Sequence, residues 1–350
     1  MKKLGLLATL GMLVMSTACS KPQEEEKVVN LYTWADYFTP EVIDAFTKKT
    51  GIRVQVDTYD SNEALMGKLR AGASGYDVIL PSDYTVTILG KQGKLMKLDK
   101  AKLPNLVNLE EQFTNPSYDP DLVYSVPFMW GTTGIGYLND KITEPVDSWN
   151  ALINPNPAYV GRISLLKDPR EVFGVAFKLQ GKSINTTDEA SLKQALDMMI
   201  AQKAAAKTLY NSENYRDLLG KGELWMTHGW SSMIALVRYT LKQENVRYII
   251  PKEGGVIYMD TFAIPSTAPH KEAAYTFINY FLDGEASAMV SNLTCGSNPN
   301  KAARPFIRPE LLNDPMLYPP PEVLSKLEFI SDVGDATRNI DMAWTQLAAE

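Results

Sequence analysis

Hydrophobic positions along this chain switch repeatedly between a strand-like and a helix-like rhythm. Val28 to Ala35 is β-rich; Val42, Ile43, Ala45 and Phe46 then mark one helical face between Glu41 and Thr50, Gly51 stops it, and Ile52, Val54 and Val56 alternate. These periods predict strand, helix, strand. Asp60 and Glu63 stand at capping-box spacing ahead of Leu65, Met66 and Leu69, and Tyr76 to Leu80 follows as a continuous strand of the kind buried on both faces. The order of elements is that of a parallel α/β lobe. Tyr124 to Gly136 is also strand-like but carries Trp130, Gly131 and Gly134, which suits a crossing between two lobes and a hinge.

Beyond that crossing the alternation resumes. A helix opens at Ser148, a strand runs from Arg162 to Leu166, a helix starts at Pro169, and a longer one is expected from Asp188 to Lys207. Val256 to Ile264 is a third strand-like segment, expected to lead the chain back into the first lobe, and Pro319 to Pro321 precede terminal helices. A mature chain of roughly 320 residues exceeds what one core organises, so two α/β lobes of about 150 residues each are expected. Their boundaries fall at 28–134 with 259–305 for lobe 1, and 135–258 with 306–350 for lobe 2.

The first residues change the picture of where the chain works. Lys2 and Lys3, the apolar stretch from Leu4 to Met15, and small Ser16, Thr17 and Ala18 before Cys19 have the layout of a bacterial export signal over 1–18. A dozen apolar residues are too short to span about 30 Å of hydrocarbon comfortably, which favours cleavage over a permanent span. Cys19 after small residues resembles a lipobox, with Ser16 where leucine is usual. Lipidation of Cys19 is the expectation, with 19–27 as a solvated tether bearing Glu24, Glu25 and Glu26. The mature protein is then periplasmic and held to a bacterial membrane by its lipid, Cys295 is its remaining thiol, and no intramolecular disulfide can form. The net charge of −6 becomes more negative once Lys2 and Lys3 leave, which argues against a nucleic-acid partner and suits a cationic ligand.

Catalytic patterns are sparse. The sequence has two histidines, His228 and His270, and neither a G-x-S-x-G elbow nor an H-E-x-x-H motif. Gly181, Lys182 and Ser183 imitate the end of a phosphate loop, but its first glycine would fall on Ala176. Lone Cys295, without a paired base, reads as an inert thiol. No cofactor or metal is expected, and the chain reads as a non-enzyme. A glycoside hydrolase using Asp168 and Glu171 is the alternative from another class, and two acids sharing one helix end fit it poorly.

Aromatics and carboxylates instead gather at the ends of expected strands, where open α/β sheets place ligands. Trp34, Asp36 and Tyr37 follow the first strand; Ser82, Asp83 and Tyr84 follow the third. These also read as core plugs and a polar turn. Asp168 and Glu171 bracket Pro169 as cap, first helical residue and N3 partner, so capping alone explains them, while the same geometry directs two carboxylates from one helix end. Tyr258 and Asp260 share one side of a strand, and Trp230 follows Gly229. A polyamine suits such a set: each desolvated ammonium needs an anionic partner, and the methylenes between them prefer aromatic faces.

At these residues the sequence resembles the spermidine/putrescine-binding proteins of bacterial polyamine ABC transporters. The likeness covers nearly the whole mature chain and includes Leu31 to Tyr37, Tyr76 to Tyr84, Pro127 to Gly136, Asp168 to Phe173, Lys252 to Pro265 and Asp332 to Gly334. It implies a two-lobed periplasmic-binding-protein fold of type II, a hinge, closure on ligand in the interlobe cleft, and delivery to permease subunits by a monomeric receptor. It also implies ligand contacts from Trp34, Tyr37, Ser82, Tyr84, Asp168, Glu171, Trp230 and Asp260, with Tyr258 replacing a tryptophan and Asp36 shared with the putrescine-specific branch. Ala35 replaces a hydroxyl residue, Gly296 falls where some members have tyrosine, and Ile330 where some have glutamine. These departures put putrescine at least level with spermidine. Another small cationic or amino-acid-like solute is the alternative within the class.

Overall fold

The computed structural model describes residues 27–35 and 37–350. The expected signal, Cys19, most of the tether, and Asp36 lie outside the described residues.

Ten strands occur among the described residues: β1 (Val28–Trp34), β2 (Arg53–Tyr59), β3 (Val78–Ile79), β4 (Ser125–Leu138), β5 (Ile163–Leu165), β6 (Leu209–Tyr210), β7 (Met226–Trp230), β8 (Val246–Ile249), β9 (Gly255–Ala263) and β10 (Leu327–Glu328). They connect in the order β2-β1-β3-β9-β4-β7-β5-β6, with β8 on β4 and β10 on β9. β1, β2 and β3 are parallel, as the strand-helix-strand rhythm requires, and β9 returns antiparallel beside β3. A second parallel group is β7, β5 and β6.

β4 joins the two groups. Its first half pairs with β9, through Ser125↔Ala263 to Thr132↔Ile257, and its second half pairs with β7 from Thr133↔Trp230 to Tyr137↔Met226. The register shifts between Pro127 and Met129, since proline offers no N–H to a ladder. Each group has its own core. Phe38, Phe46, Phe128, Phe262, Phe277 and Phe281 pack together on one side of the crossing; Trp149, Phe173, Phe177, Leu196 and Ile340 pack on the other. The helix Gly284–Thr294 serves both sides, with Ala286 and Val290 in the first core and Ala288 in a cluster with Leu138 and Ile234.

Several local expectations are corrected. Ser61, not Asp60, caps the helix Asn62–Arg70, its hydroxyl accepting from Ala64 N at 3.2 Å. The strand expected over Tyr76 to Leu80 is regular only at Val78–Ile79, although Asp77 N and Leu80 N still donate to Asn30 O and Tyr32 O of β1, and the Asp77 carboxylate accepts from the backbone N of Asn30 and His270. The alternation at Ile52, Val54 and Val56 forms an edge strand, and Val56 is exposed. The helix expected from Ser148 is a single turn, Asn150–Ile153. Helix Pro169–Leu179 starts where expected, and Glu189–Ala206 and Gly255–Ala263 lie within two residues of their expected ends.

Candidate functional site

The loops after β1 and β3, the end of β7, the middle of β9 and the start of helix Pro169–Leu179 meet at the β4 crossing. They bring together the sequence-selected residues that lie in described positions. Three of these form one hydrogen-bonded unit. Asp260, 6 % exposed on β9, accepts from Tyr37 Oη at 2.5 Å and Ser82 Oγ at 2.7 Å. Ser82 is fixed in turn by Asn62, whose Oδ1 accepts from its backbone N and whose Nδ2 donates to its Oγ. A bridge between Ser82 and Asp260 closes the loop onto the strand. Burial lifts the Asp260 carboxyl to about 6, against the pull of the two hydroxyls.

The opposing acids sit on one helix end. Asp168 is the N-cap of Pro169–Leu179: its Oδ1 accepts from Arg170 N at 2.8 Å and Glu171 N at 3.1 Å. The capping expectation therefore holds, and burial raises the Asp168 pKa against the pull of those two backbone N–H groups. Glu171 is 4 % exposed; its Oε1 accepts from Thr133 Oγ1 at 2.8 Å and Trp230 Nε1 at 3.3 Å. Burial, then the neighbouring Asp168, push it up to about 8. Arg170 turns away, giving its guanidinium to Ser331 O and Asn185 Oδ1.

Rings line the space between. Trp34 donates Nε1 to Leu80 O and packs on Tyr59 at 4.7 Å. Trp230 stands over Tyr215 at 6.1 Å. Tyr258 lies across Gly131 of β4, where a Cβ would collide with its hydroxyl, so only glycine lets the ring sit there; its Oη pairs with Ser232 Oγ at 3.2 Å. Tyr84 meets Ile184, Val256 and Ile330 in an apolar cluster and reaches Glu63 Oε1 at 3.4 Å.

The departures fall unevenly. Ala35 is exposed in the turn after β1. Gly296 is buried with the Met129 methyl where its side chain would be, whereas Ile330 packs directly against the cleft residues Tyr84 and Tyr258. Sequence reasoning missed Thr133 and Asn62, which hydrogen-bond Glu171 and Ser82, and the place of His228, whose Nε2 lies 3.7 Å from Glu171 Oε2. It quoted Asp83 only within a polar turn. The structure buries that carboxyl at 2 % exposure, with Oδ1 on Tyr84 N and Oδ2 on Met259 N, and burial pushes it up to about 8. Its signal was an acid directly after an apolar strand and Pro81-Ser82.

Known proteins resemble this chain in sequence and fold. Residues 41–317 match the family of bacterial extracellular solute-binding proteins. The chain is 34 % identical to the putrescine-binding periplasmic protein SpuD of Pseudomonas aeruginosa, covering 99 % of each. It is 35 % identical to a spermidine/putrescine-binding periplasmic protein of Salmonella typhimurium, covering 98 % of this chain and 97 % of that one. Among solved structures, a putative spermidine/putrescine ABC transporter protein from Listeria monocytogenes superposes with a TM-score of 0.86 at 31 % identity, over 92 % of this chain and 99 % of the other. The architecture is thus the two-lobed α/β fold of type II, with the cleft between its lobes. The chain belongs to the bacterial extracellular solute-binding proteins, alongside the periplasmic spermidine/putrescine-binding proteins.

Proposed function

We propose that this protein is an extracytoplasmic receptor that captures putrescine, and spermidine no better, between its lobes and hands it to the permease of an ABC transporter. One observation carries the reading. Asp260 and Glu171 are buried carboxyls whose hydrogen-bond donors are neutral: Tyr37 and Ser82 for one, Thr133 and Trp230 for the other. A buried carboxylate held only by neutral donors is costly, and an ammonium group brought by a ligand supplies the missing charge. Asp260 and Glu171 take the ammoniums with help from Asp168; Trp34, Tyr37, Trp230 and Tyr258 wall the methylenes; Ser82 and Tyr84 are polar contacts. Asp36 adds a further acid to this set.

Lobe 1 comprises 28–134 and 259–305, lobe 2 comprises 135–258 and 306–350, and closure turns about the β4 crossing. The receptor works as a monomer, turns nothing over and needs no metal. Export and anchoring rest on Leu4 to Met15 and Cys19; Cys19→Ser is expected to release the protein from the membrane fraction. No helix among the described residues is long and apolar enough to cross a membrane.

Titration calorimetry with putrescine, cadaverine, spermidine and a panel of amino acids tests the ligand class. Saturable 1:1 binding of putrescine, with ligand recovered unchanged, is the expected outcome. Strong preference for spermidine overturns the ranking, and silence toward every polyamine overturns the reading.

A further inference from the structure

Behind Glu171, away from the cleft, lies a histidine that the site described so far does not use. His228 is on β7, paired with Ile135 of β4, and its ring is 1 % exposed. Trp149 meets it edge-on at 5.1 Å and 84°, and Trp149 is itself pinned by Nε1 donating to Gly254 O at 2.7 Å. The ring therefore has little room to turn. Its Nε2 stands 3.7 Å from Glu171 Oε2.

Three buried polar atoms meet here without a hydrogen-bond partner: Glu171 Oε2, His228 Nδ1 and His228 Nε2. Leaving such atoms unpaired costs about 1–3 kcal/mol each, so their juxtaposition calls for an explanation. A neutral imidazole carries one proton. With Glu171 ionised, as a bound ammonium requires, a proton on Nδ1 leaves all three atoms unpaired. On Nε2 it satisfies Nε2 and Oε2 together once the gap closes to about 2.9 Å, and only an acceptor lone pair on Nδ1 is left.

We propose that His228 is a positioning residue for Glu171, its neutral ring donating Nε2–H to Oε2 of the ionised carboxylate when ligand is bound, so that Oε1 stays aimed at Thr133, Trp230 and the ligand ammonium. This rests on the polyamine reading of the cleft. Burial holds His228 neutral, with its pKa lowered to about 3, so the ring serves as a dipolar donor and not as a competing cation. The charged and titratable groups around the pair are consistent with that role. Asp168 and Asp83 oppose ionisation of Glu171, while Arg170 favours ionisation of both those acids. Tyr215, Tyr248 and Tyr258 feel the Glu171 charge from neighbouring elements and are themselves pushed up by burial, which keeps them neutral.

Calorimetric titration of putrescine at pH 6, 7, 8 and 9 into the wild type, His228→Leu and His228→Gln tests the proposal. Leucine is expected to weaken binding roughly 10- to 50-fold at pH 7, less at pH 9, and to move the pH midpoint of affinity upward; glutamine, which keeps an N–H donor, recovers most of the loss. Leucine binding within about twofold of wild type at every pH, or glutamine no better than leucine, overturns the role of His228 and leaves the receptor reading intact. A wild type silent to putrescine sinks both. Because the chain has two histidines, ¹⁵N-histidine NMR of the wild-type complex gives a readout that needs no variant. A neutral ring protonated on Nε2 supports the proposal, and a proton on Nδ1 overturns it.

Discussion

Asp260 and Glu171, the two walls of the cleft proposed above, are buried to nearly equal extent, 6 % and 4 % exposed, and their support differs. Asp260 has a short hydroxyl bond to each oxygen. Glu171 has both donors on Oε1 and bare Oε2 facing His228. Burial raises both carboxyls, Asp260 to about 6 and Glu171 to about 8, and the neighbouring Asp168 adds to the rise at Glu171 alone. On the receptor reading, Asp260, whose carboxyl is raised less, is the acid ready for a cation, and Glu171, raised further by burial and Asp168, ionises as the cation arrives.

Substituting Asp260 with asparagine is the severest test of this difference. It keeps the shape and removes the charge that is present before binding, so putrescine affinity is expected to fall by roughly 30-fold or more, or about 2 kcal/mol. Glu171→Gln removes a charge that must first be created, so its loss is expected to be smaller at pH 7 and to grow as pH passes 8. Equal losses at every pH, measured by calorimetry, break the comparison; an unchanged affinity in Asp260→Asn removes that residue from the site.

A second test needs no variant. Ordinary values for unfolded Asp and Glu are about 3.9 and 4.3. Both folded values are raised, so between about pH 4 and pH 6 for Asp260, and between about pH 4 and pH 8 for Glu171, the folded state binds more protons than the unfolded one. Their contribution to stability is therefore present below those unfolded values and is lost as pH rises through 6 and then 8. The free protein is expected to lose several degrees of Tm from these groups between pH 5 and pH 9, by about 2–4 °C per kcal/mol. Saturating putrescine stabilises the ionised forms and flattens the slope, and binding at pH 7 releases protons, visible as a dependence of calorimetric heat on buffer ionisation enthalpy. A free-protein Tm that rises with pH through this window contradicts the assignment.

Why the sequence shows one wall better than the other follows from the same physics. Rhythm along the chain reveals strands, and strand ends reveal where side chains open to a cleft; this is how Trp34, Tyr37, Ser82 and Tyr84 were found. Helix-start chemistry marked Asp168 and Glu171 even while offering capping as a sufficient explanation. The supports were hidden because they are nonlocal. Thr133 is one of several small residues in β4, and nothing in the sequence tells that its hydroxyl meets Glu171, 38 positions later. His228 lies where the sequence predicts no element, and only the pairing of β7 with β4 places its ring 3.7 Å from Glu171. The capping error at Asp60 was purely local, since Ser61 is an equally good cap one residue on and the following turn decided between them.

The finest distinction concerns the end of the cleft closed by Tyr84, Ile184, Val256 and Ile330. This cluster is apolar where the surroundings of Asp260 are polar, and on the putrescine reading proposed above that contrast disfavours a longer triamine. An additional ammonium placed against Ile330 loses water and gains no acceptor. Ile330→Gln puts an amide oxygen there, within a side chain of similar reach and 7 % exposure. Spermidine affinity is expected to rise roughly 3- to 10-fold while putrescine, too short to use the new acceptor, changes by less than about twofold. Paired titrations of the two ligands give the ratio directly. If putrescine weakens as much as spermidine gains, the substitution has loosened the whole closed cleft, and ligand length is set elsewhere than at Ile330.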